Sequence, residues 1–315
     1  MFDFLKKKKE DENIVVLKKT EPGMCGGTDA TQDKSAPTEI KSDEMILFDV
    51  KCALGDRVEL VDEAQREVEE IGYISAFAAP AKEGTFLFFG KGGGFRRNDK
   101  KDSSWAYVKE NVFPRLAVLV KEENLAKKNG FHSVTHGLPE NFGGSVSVLY
   151  ASGEKISFSN NQSPVISGET GKKIARFFDE ATKGERVALP GVSELKEIRF
   201  AEERGNGGYT KATLTLLADG TGMNKKASRY DDPTVYESEK PVDSDAIAAI
   251  KKDIEKNGIL AWESLPQRAY IPTRKKTLTF VFGDGREITV TDDKTLPDEI
   301  SRGFFDIELE MTTRH

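Results

Sequence analysis

One pattern that occurs twice decides the fold: SVSVLYASGEKISF at residues 145–158 and TLTFVFGDGREITV at residues 277–290. Polar and apolar residues alternate along both stretches, and this period of two is typical of a strand with one buried face. A Ser-Gly or an Asp-Gly pair interrupts each alternation, and glycine adopts the positive φ angle that tight hairpin turns require. Each stretch therefore predicts a β-hairpin.

Related segments flank the two hairpins in the same order. Downstream, Arg176–Asp179 corresponds to Arg302–Asp306, and apolar residues spaced three and four apart around the first of these predict a helix. Upstream, each copy has a helical pattern that ends at an Asn-Gly pair, at 129–130 and at 257–258, and glycine there is a common stop signal. Ser244 is the predicted N-cap of the second upstream helix.

Strand patterns recur before the upstream helices, near residues 74–89 and 198–217. Each copy therefore has the order hairpin, Gly-rich basic loop, helix, hairpin and helix. Strands joined by hairpins form antiparallel sheets, on which helices pack on one face. The predicted fold is α+β, with two tandem copies of a hairpin–helix–hairpin–helix unit at 45–188 and 189–315 behind a disordered leader at 1–44.

The predicted leader combines lysine runs, acidic runs and a stretch rich in Gly, Thr and Asp. Such a composition buries too little apolar surface to offset the entropy cost of ordering, so it predicts a flexible segment. After the leader, the sequence predicts a short strand near Met45–Cys52 and a helix near Val61–Ile71.

Composition limits the classes of function. The 315 residues have a formal net charge of −6, which argues against a chain dedicated to nucleic-acid binding. Two cysteines, Cys25 and Cys52, are too few for a disulfide framework. The first residues lack the apolar core of a secretory signal, and no apolar window is long enough to span a membrane, so the cytoplasm is the predicted location.

One Gly-rich basic segment, Gly90–Arg97, has residues that suit an anion. Glycines let backbone amides approach a phosphate, and arginines bind it in a bidentate way, although the segment matches neither the P-loop nor the GxGxxG pattern. The segment Asp219–Lys226, with Arg229 after it, is interpreted as the equivalent basic loop of the second copy. The candidate ligand- or partner-binding residues are Lys91, Gly92, Gly93, Gly94, Arg96, Arg97, Lys225, Lys226 and Arg229.

Other chemically active residues form no repeated set. His132 and His136 are four residues apart, but nearby glycines and a proline disfavour a helix that would place both imidazoles on one face. Cys52 lies in an apolar strand pattern and is predicted to be a small buried side chain. The sequence therefore predicts no catalytic residues, no metal site and no cofactor.

The favoured function is a non-catalytic binding or assembly protein with a protein partner, because the two copies repeat no acid–base, nucleophile or metal set. One alternative is a phosphate- or nucleotide-handling enzyme that binds its anionic ligand through residues 90–97. A further alternative is a peripheral membrane protein, in which Phe2, Phe4, Leu5 and Lys6–Lys9 of the leader contact an anionic lipid surface.

Overall fold

The computed structural model of the chain describes residues 13–21, 26–62, 67–92, 101–137, 143–205, 207–230, 233–266 and 274–312. Within these residues the fold is mixed α+β, as predicted, with four α-helices and two sheets of nine and six strands.

The secondary-structure elements are numbered in chain order. The strands are β1 (Ile14–Lys18), β2 (Thr28–Asp33), β3 (Met45–Asp62), β4 (Glu67–Ala81), β5 (Gly84–Gly92), β6 (Lys101–Val108), β7 (Phe131–Thr135), β8 (Gly144–Tyr150), β9 (Lys155–Asn160), β10 (Leu195–Arg204), β11 (Tyr209–Leu216), β12 (Gly222–Arg229), β13 (Val235–Val242), β14 (Arg274–Phe282) and β15 (Glu287–Thr291). The α-helices are α1 (Phe113–Glu122), α2 (Gly168–Ala181), α3 (Ser244–Asn257) and α4 (Asp298–Thr312). Short 3₁₀ helices span Leu125–Lys128, Val192–Glu194 and Ile259–Ser264.

The chain divides into two compact units. The first comprises Met1–Ala79, Leu87–Ser104 and Glu110–Gly184, and the second comprises Pro80–Phe86, Trp105–Lys109 and Glu185–His315. The main division follows Gly184, and two short segments, one around the β4–β5 turn and one at the end of β6, belong to the second unit.

The nine-stranded sheet has the order β1-β2-β7-β9-β8-β3-β4-β5-β6. Its centre is the predicted hairpin β8–β9, in which Val148 pairs with Ile156 and Gly153 turns the chain at a φ of 87°. Strand β8 also pairs antiparallel with β3. Helix α2 packs against this part of the sheet, where the buried rings of Phe178 and Phe48 lie 5.7 Å apart between centroids.

Three strands of this sheet, β1, β2 and β7, have no counterpart in the predicted unit. Strands β1 and β2 lie within the predicted leader, so ordered structure begins before residue 45, while residues 1–12 and 22–25 lie outside the described residues. Strand β2 pairs with β1 and β7, and Thr28 and Asp29 bond to side chains in and just after β7. The composition of β2 is polar and does not reveal a strand, whereas β1 is apolar but lies between charged stretches of the predicted leader. Because β7 also pairs in parallel with β9, the sheet is not wholly antiparallel.

The six-stranded sheet has the order β13-β12-β11-β10-β14-β15, and every pair in it is antiparallel. Its second hairpin, β14–β15, is the predicted one, and Gly285 turns it at a φ of 85°. Helices α3 and α4 pack together and cover one face of the sheet. The buried residues of this core include Ile198, Phe200, Leu214, Ile250, Ile254, Leu278, Phe280 and Ile307.

The two sheets share an order of elements around their hairpins. Strands β3 to β6 lie side by side, a helix and a 3₁₀ helix follow, and hairpin β8–β9 joins β3 through β8. In the second sheet, β10 to β13 also lie side by side. In the chain they are followed by α3, a 3₁₀ helix and hairpin β14–β15, whose strand β14 pairs with β10. A final helix, α2 or α4, follows each hairpin. The predicted unit differs because it places one hairpin, rather than four strands, before the first helix.

Two local predictions in the helices and strands are wrong. The predicted helix near Val61–Ile71 is part of the β3–β4 pair, in which Val61 lies opposite Val68. Its apolar residues fit cross-strand pairing as well as they fit a helix face, and the long-range pairing prevails. The N-cap of α3 is Asp243 and not Ser244, since the Asp243 carboxylate accepts a hydrogen bond from the backbone N–H of Ala246 at 2.8 Å.

The two Asn-Gly pairs are also not equivalent. Gly258 caps α3 directly and has a left-handed φ of 61°. Gly258 also precedes the 3₁₀ helix Ile259–Ser264. In the first unit, the residue that precedes the 3₁₀ helix Leu125–Lys128 is Asn124, at a φ of 56°, and Gly130 comes after that 3₁₀ helix. Asparagine tolerates the left-handed conformation better than most residues, so Asn124 is the counterpart of Gly258.

Candidate functional site

The first basic segment lies at the end of a strand and not before a helix. Lys91 and Gly92 belong to the last part of β5, and Gly92 is buried. The other candidates of this segment, Gly93, Gly94, Arg96 and Arg97, lie outside the part of the chain that the structure describes. The anion-binding hypothesis for residues 90–97 therefore stays a prediction.

The second set of candidates, Lys225, Lys226 and Arg229, lies within strand β12 and not in a loop. Successive side chains of a strand point to opposite faces, so Lys225 and Arg229 share the face opposite α3 and α4, which we call the open face. Lys226 lies on the helix side, where its Nζ donates a hydrogen bond of 2.7 Å to the carbonyl of Thr312 in the last turn of α4. Lys226 therefore stabilises a helix end, and the other two candidates share the open face at separate positions along β12.

An aromatic ring accompanies the cations of the open face. Tyr209 pairs directly with Arg229 across β11 and β12. The Arg229 guanidinium carbon and the Lys211 Nζ each lie 5.4 Å from the Tyr209 ring centroid, within the range of cation–π contacts. Arg229 Nη2 also donates a hydrogen bond of 2.5 Å to the carbonyl of Gly207. Two contacts therefore orient the Arg229 side chain.

Two more tyrosines are exposed at this end of the sheet. Tyr230 and Tyr236 are 49% and 53% exposed, and their ring centroids lie 6.1 Å apart. The Arg204 guanidinium carbon lies 5.1 Å from the Tyr230 ring centroid. In an antiparallel sheet the ends of β10 and β12 lie beside the starts of β11 and β13. We call the five residues at this end of the sheet the tyrosine–arginine end: Arg204, Tyr209, Arg229, Tyr230 and Tyr236. Tyr209 and Arg229 lie on its open face, whereas Arg204 and Tyr236 lie on the other side, because Tyr236 pairs with the buried Ser228 and Arg204 alternates with the buried Glu202.

A buried carboxylate holds Arg204 in place. Arg204 Nη2 and Nε donate hydrogen bonds of 2.6 and 3.1 Å to Glu202 Oε2, and Nη2 also lies 3.3 Å from Thr210 Oγ1. Glu202 is 5% exposed, and Arg274 Nη1 lies 3.7 Å from its other oxygen. Two arginines thus compensate one buried charge, and this pairing fixes Arg204 beside Tyr230.

A groove of about 530 Å³ lies along β11, β12 and β13. Lys211 and Lys225 line it from the inner strands, and Glu237 and Glu239 line it from β13. Lys225 Nζ lies 3.4 Å from Glu239 Oε1, and both side chains are more than half exposed. Strand β13 is the edge of the sheet, and its residues 235–241 are exposed. The groove therefore lies between the lysines of the inner strands and an accessible edge strand.

The two predicted histidines lie in and just after strand β7, so they do not share a helix face. His132 Nδ1 lies 3.0 Å from Ser159 Oγ, and His136 Nε2 lies 3.0 Å from Asp29 Oδ2. The hydrogen bond from His136, helped by the backbone N–H of Thr20, lowers the pKa of Asp29 to about 2. Among the described residues, no group of three or more His, Cys, Asp or Glu side chains is placed to hold a metal ion.

The prediction that Cys52 is a small buried side chain is confirmed. Cys52 lies in β3 and is 0% exposed. Burial raises the pKa of its thiol to about 12, so the thiol stays protonated at neutral pH and is a poor nucleophile.

Most of the tyrosine–arginine end is absent from the predicted residues. Arg229 is among them, but Arg204, Tyr209, Tyr230 and Tyr236 are not, because they come from four different strands or strand ends. The available signals were the adjacent Arg229–Tyr230 pair and the alternation of Tyr209 with Lys211. These signals locate a site only once the strand pairing is known.

Across the described ranges of the chain, no helix combines the length and the apolar character needed to cross a lipid bilayer. No protein-family model matches the chain, and no curated protein matches its sequence at a significant level.

Proposed function

We propose that the protein is a non-catalytic binding or assembly protein, and that the tyrosine–arginine end of its second unit binds a protein partner. The segment of the partner that contacts this end carries Asp or Glu side chains, because Lys211, Lys225 and Arg229 share the open face. Tyrosine and arginine are the residue types that most often contribute large binding energies at protein interfaces.

The observation that carries this proposal is the exposure of Tyr230 and Tyr236, at 49% and 53%, beside Arg204, whose side chain is already oriented. Glu202 holds Arg204, and the carbonyl of Gly207 holds Arg229. Side chains that are fixed before binding lose less conformational entropy when a partner arrives. The exposed rings supply apolar area, and the arginines supply directional hydrogen bonds.

The shared order of elements supports a second part of the proposal, that the two units are copies of one duplicated α+β unit. In that alignment β5 occupies the position of β12. Residues 93–97 follow β5 in the sequence, and Tyr230 follows β12. The Gly-rich basic segment of the first copy therefore corresponds to the chain after Arg229. It does not correspond to Asp219–Lys226, the segment that the sequence alone indicates as its equivalent. The first copy then has Arg96 and Arg97 after its third strand in the sequence, whereas the second copy has Arg229 as the last residue of that strand.

The test of the proposed function is charge reversal on the open face. The partner is identified by affinity capture with the native chain and mass spectrometry, and its binding is then measured by calorimetry with purified proteins. We expect the Lys211→Glu/Arg229→Glu variant to bind at least about tenfold more weakly, because it repels acidic side chains and removes both cation–π contacts of Tyr209.

A matched control is the Lys251→Glu/Lys252→Glu variant, which makes the same change of charge on helix α3 of the same unit. We expect it to keep native affinity. Full affinity in the Lys211→Glu/Arg229→Glu variant, with an unchanged melting temperature, would exclude the open face as the binding surface. Equal losses in both variants would show that only overall charge matters.

Strand β1 favours a second candidate function, contact with a membrane surface. Ile14, Val16 and Leu17 are 47%, 58% and 56% exposed at an edge of the nine-stranded sheet, and Lys18 and Lys19 follow them. Apolar side chains beside lysines suit an anionic lipid surface, where each lysine contributes about 1 kcal/mol. We propose that β1 and the basic residues before it contact lipid headgroups in this case.

Vesicle co-sedimentation distinguishes this candidate from the first. The native chain should sediment with vesicles that contain phosphatidylserine and stay in solution with pure phosphatidylcholine vesicles. The Val16→Glu/Leu17→Glu variant should lose the interaction, because its carboxylates are repelled by anionic headgroups. Absence of sedimentation with either vesicle would exclude membrane contact through β1.

A further inference from the structure

The first unit contains a cavity of about 380 Å³ between residues 38–43, helix α1 with its following 3₁₀ helix, and hairpin β8–β9. Cavities of this size commonly hold small molecules. Val120, Ala126 and Ile156 are buried side chains that line it. Part of the cavity wall is therefore apolar and suits an apolar group of a ligand.

A tyrosine with a largely buried side chain, Tyr150, lines the same cavity. Tyr150 is 4% exposed, and within the described parts of the chain its phenol oxygen has no hydrogen-bond partner. Burial, together with the charges of Glu154 and Asp43, raises the pKa of Tyr150 to about 12. The hydroxyl therefore keeps its proton at neutral pH and can donate a hydrogen bond to a group bound in the cavity.

Four exposed charged side chains line the outer part of the cavity. Two are acidic, Glu39 and Asp43, and two are basic, Lys121 and Lys127. In the described ranges none of the four forms an ion pair. Unpaired charges of both signs around one opening match a ligand that itself carries both signs.

We propose that this cavity binds a small zwitterion with an apolar side chain, of the class of free apolar α-amino acids. The lysines bind the carboxylate of the ligand, and Glu39 and Asp43 bind its ammonium group. The ligand's side chain packs against Val120, Ala126 and Ile156, and the Tyr150 hydroxyl donates a hydrogen bond to the ligand. This site is independent of the protein-binding surface proposed for the second unit.

Calorimetric titration of the full chain tests the proposal, with L-leucine and L-phenylalanine as probes. We expect saturable binding of at least one of them. The Tyr150→Phe variant should bind about 3- to 10-fold more weakly, because one hydrogen bond is lost. The Lys121→Gln/Lys127→Gln variant should also bind more weakly, whereas Lys251→Gln/Lys252→Gln in the second unit makes the same change of charge and should bind normally.

Two analogues test the requirement for both charges. Leucinamide lacks the carboxylate and N-acetyl-L-leucine lacks the ammonium group, so each should bind at least about tenfold more weakly than L-leucine. No heat of binding with either amino acid up to about 5 mM would overturn the proposal. Unchanged affinity in both cavity variants, with native melting temperatures, would overturn it as well.

Discussion

His132, whose spacing from His136 resembles that of a metal-binding pair, has its environment set by the strand in which it lies. It lies half-buried in β7, and its Nδ1 is 3.0 Å from Ser159 Oγ. Burial lowers the pKa of His132 below its usual value, and the positive charge of Lys155 lowers it further, while Asp33 opposes both. The imidazole is therefore neutral in the folded protein at neutral pH, and its protonation favours unfolding.

The first prediction concerns the pH dependence of stability. The folded-state pKa of His132 lies below the unfolded value of about 6.5, so the unfolded chain binds more protons as the pH falls through this range. The native protein should thus lose stability between about pH 7 and pH 5, and His132→Gln should lose less, because glutamine does not titrate. Urea unfolding at three pH values measures the difference. Parallel pH profiles for the two proteins would contradict the prediction.

Individual residues of the site differ in how far their sequence context reveals their role. Cys52 is predictable as a buried side chain, because its apolar neighbours indicate a strand. Lys226 is not predictable as a helix-stabilising residue, since its partner Thr312 lies far along the chain. The two cases differ in sequence separation. Neighbouring residues in the sequence indicate whether a side chain is buried, whereas the partner of a charged group can lie anywhere in the fold.

At the scale of the elements, the start of helix α3 has two neighbouring residues that could be its N-cap, Asp243 and Ser244. Ser244 and Asp243 both have side chains that cap helices, and a sequence pattern does not place a helix start to within one residue. The structure assigns the cap to Asp243, whose carboxylate accepts the hydrogen bond from Ala246 N–H, and Ser244 is the first residue of the helix.

The second prediction follows from this cap. Asp243→Ala should lower the free energy of unfolding by about 1 kcal/mol, because it leaves the Ala246 N–H without its acceptor and removes a negative charge from the helix N-terminus. Ser244→Ala should change it by less than about 0.5 kcal/mol, since alanine is a better helix former. Chemical denaturation of both variants measures the two effects. A larger loss in Ser244→Ala would show that the helix begins one residue later.

The hairpins and most helices are predictable, whereas β1, β2 and β7 are not. Hairpins β8–β9 and β14–β15 follow from alternation and from Gly153 and Gly285 at their turns, because both signals act between residues close in sequence. Strand β2 contains polar residues only, apart from Ala30. It forms by pairing with β7, about a hundred residues away, and no local pattern encodes such a partner.

At the scale of the whole molecule, Trp105 and Gly258 show how a distant strand shapes a helix end within the second unit. Trp105 stacks on Phe86 with ring centroids 6.2 Å apart, and its Nε1 donates a hydrogen bond of 2.8 Å to the carbonyl of Glu255 in α3. A Cβ atom on Gly258 would lie 2.4 Å from the Trp105 ring. Glycine is required there for space as well as for its left-handed φ of 61°.

The third prediction compares two glycines in the left-handed region. Gly153 has a φ of 87° and open space around its Cβ position, so Gly153→Ala should cost about 1 kcal/mol of stability through backbone strain alone. Gly258→Ala should cost about 3 kcal/mol, because the added methyl group also displaces the indole ring. Thermal melting and tryptophan fluorescence together measure the loss and the displacement. Equal costs for the two variants would show that Trp105 does not crowd Gly258.

The candidate site is also a property of the whole second unit. Arg204 closes β10, Tyr209 opens β11, Arg229 closes β12 and Tyr236 lies near the start of β13. The sequence alone predicts strands near residues 198–217 and a loop from Asp219 onward, so it does not bring these residues together. Only the order β13-β12-β11-β10 places these side chains at one end of the sheet, and only the buried Glu202 fixes the orientation of Arg204.

The amino-acid sequence by itself determined the mixed α+β class, the two hairpins and the buried faces of α2 and α3. These features arise from alternation, helical spacing and glycine turns, which act over a few residues. The tertiary structure alone decided the strands within the leader, the position of Lys226 beneath α4 and the assembly of the tyrosine–arginine end. Each of these depends on pairing between distant segments, where the free energy comes from contacts that no local pattern specifies.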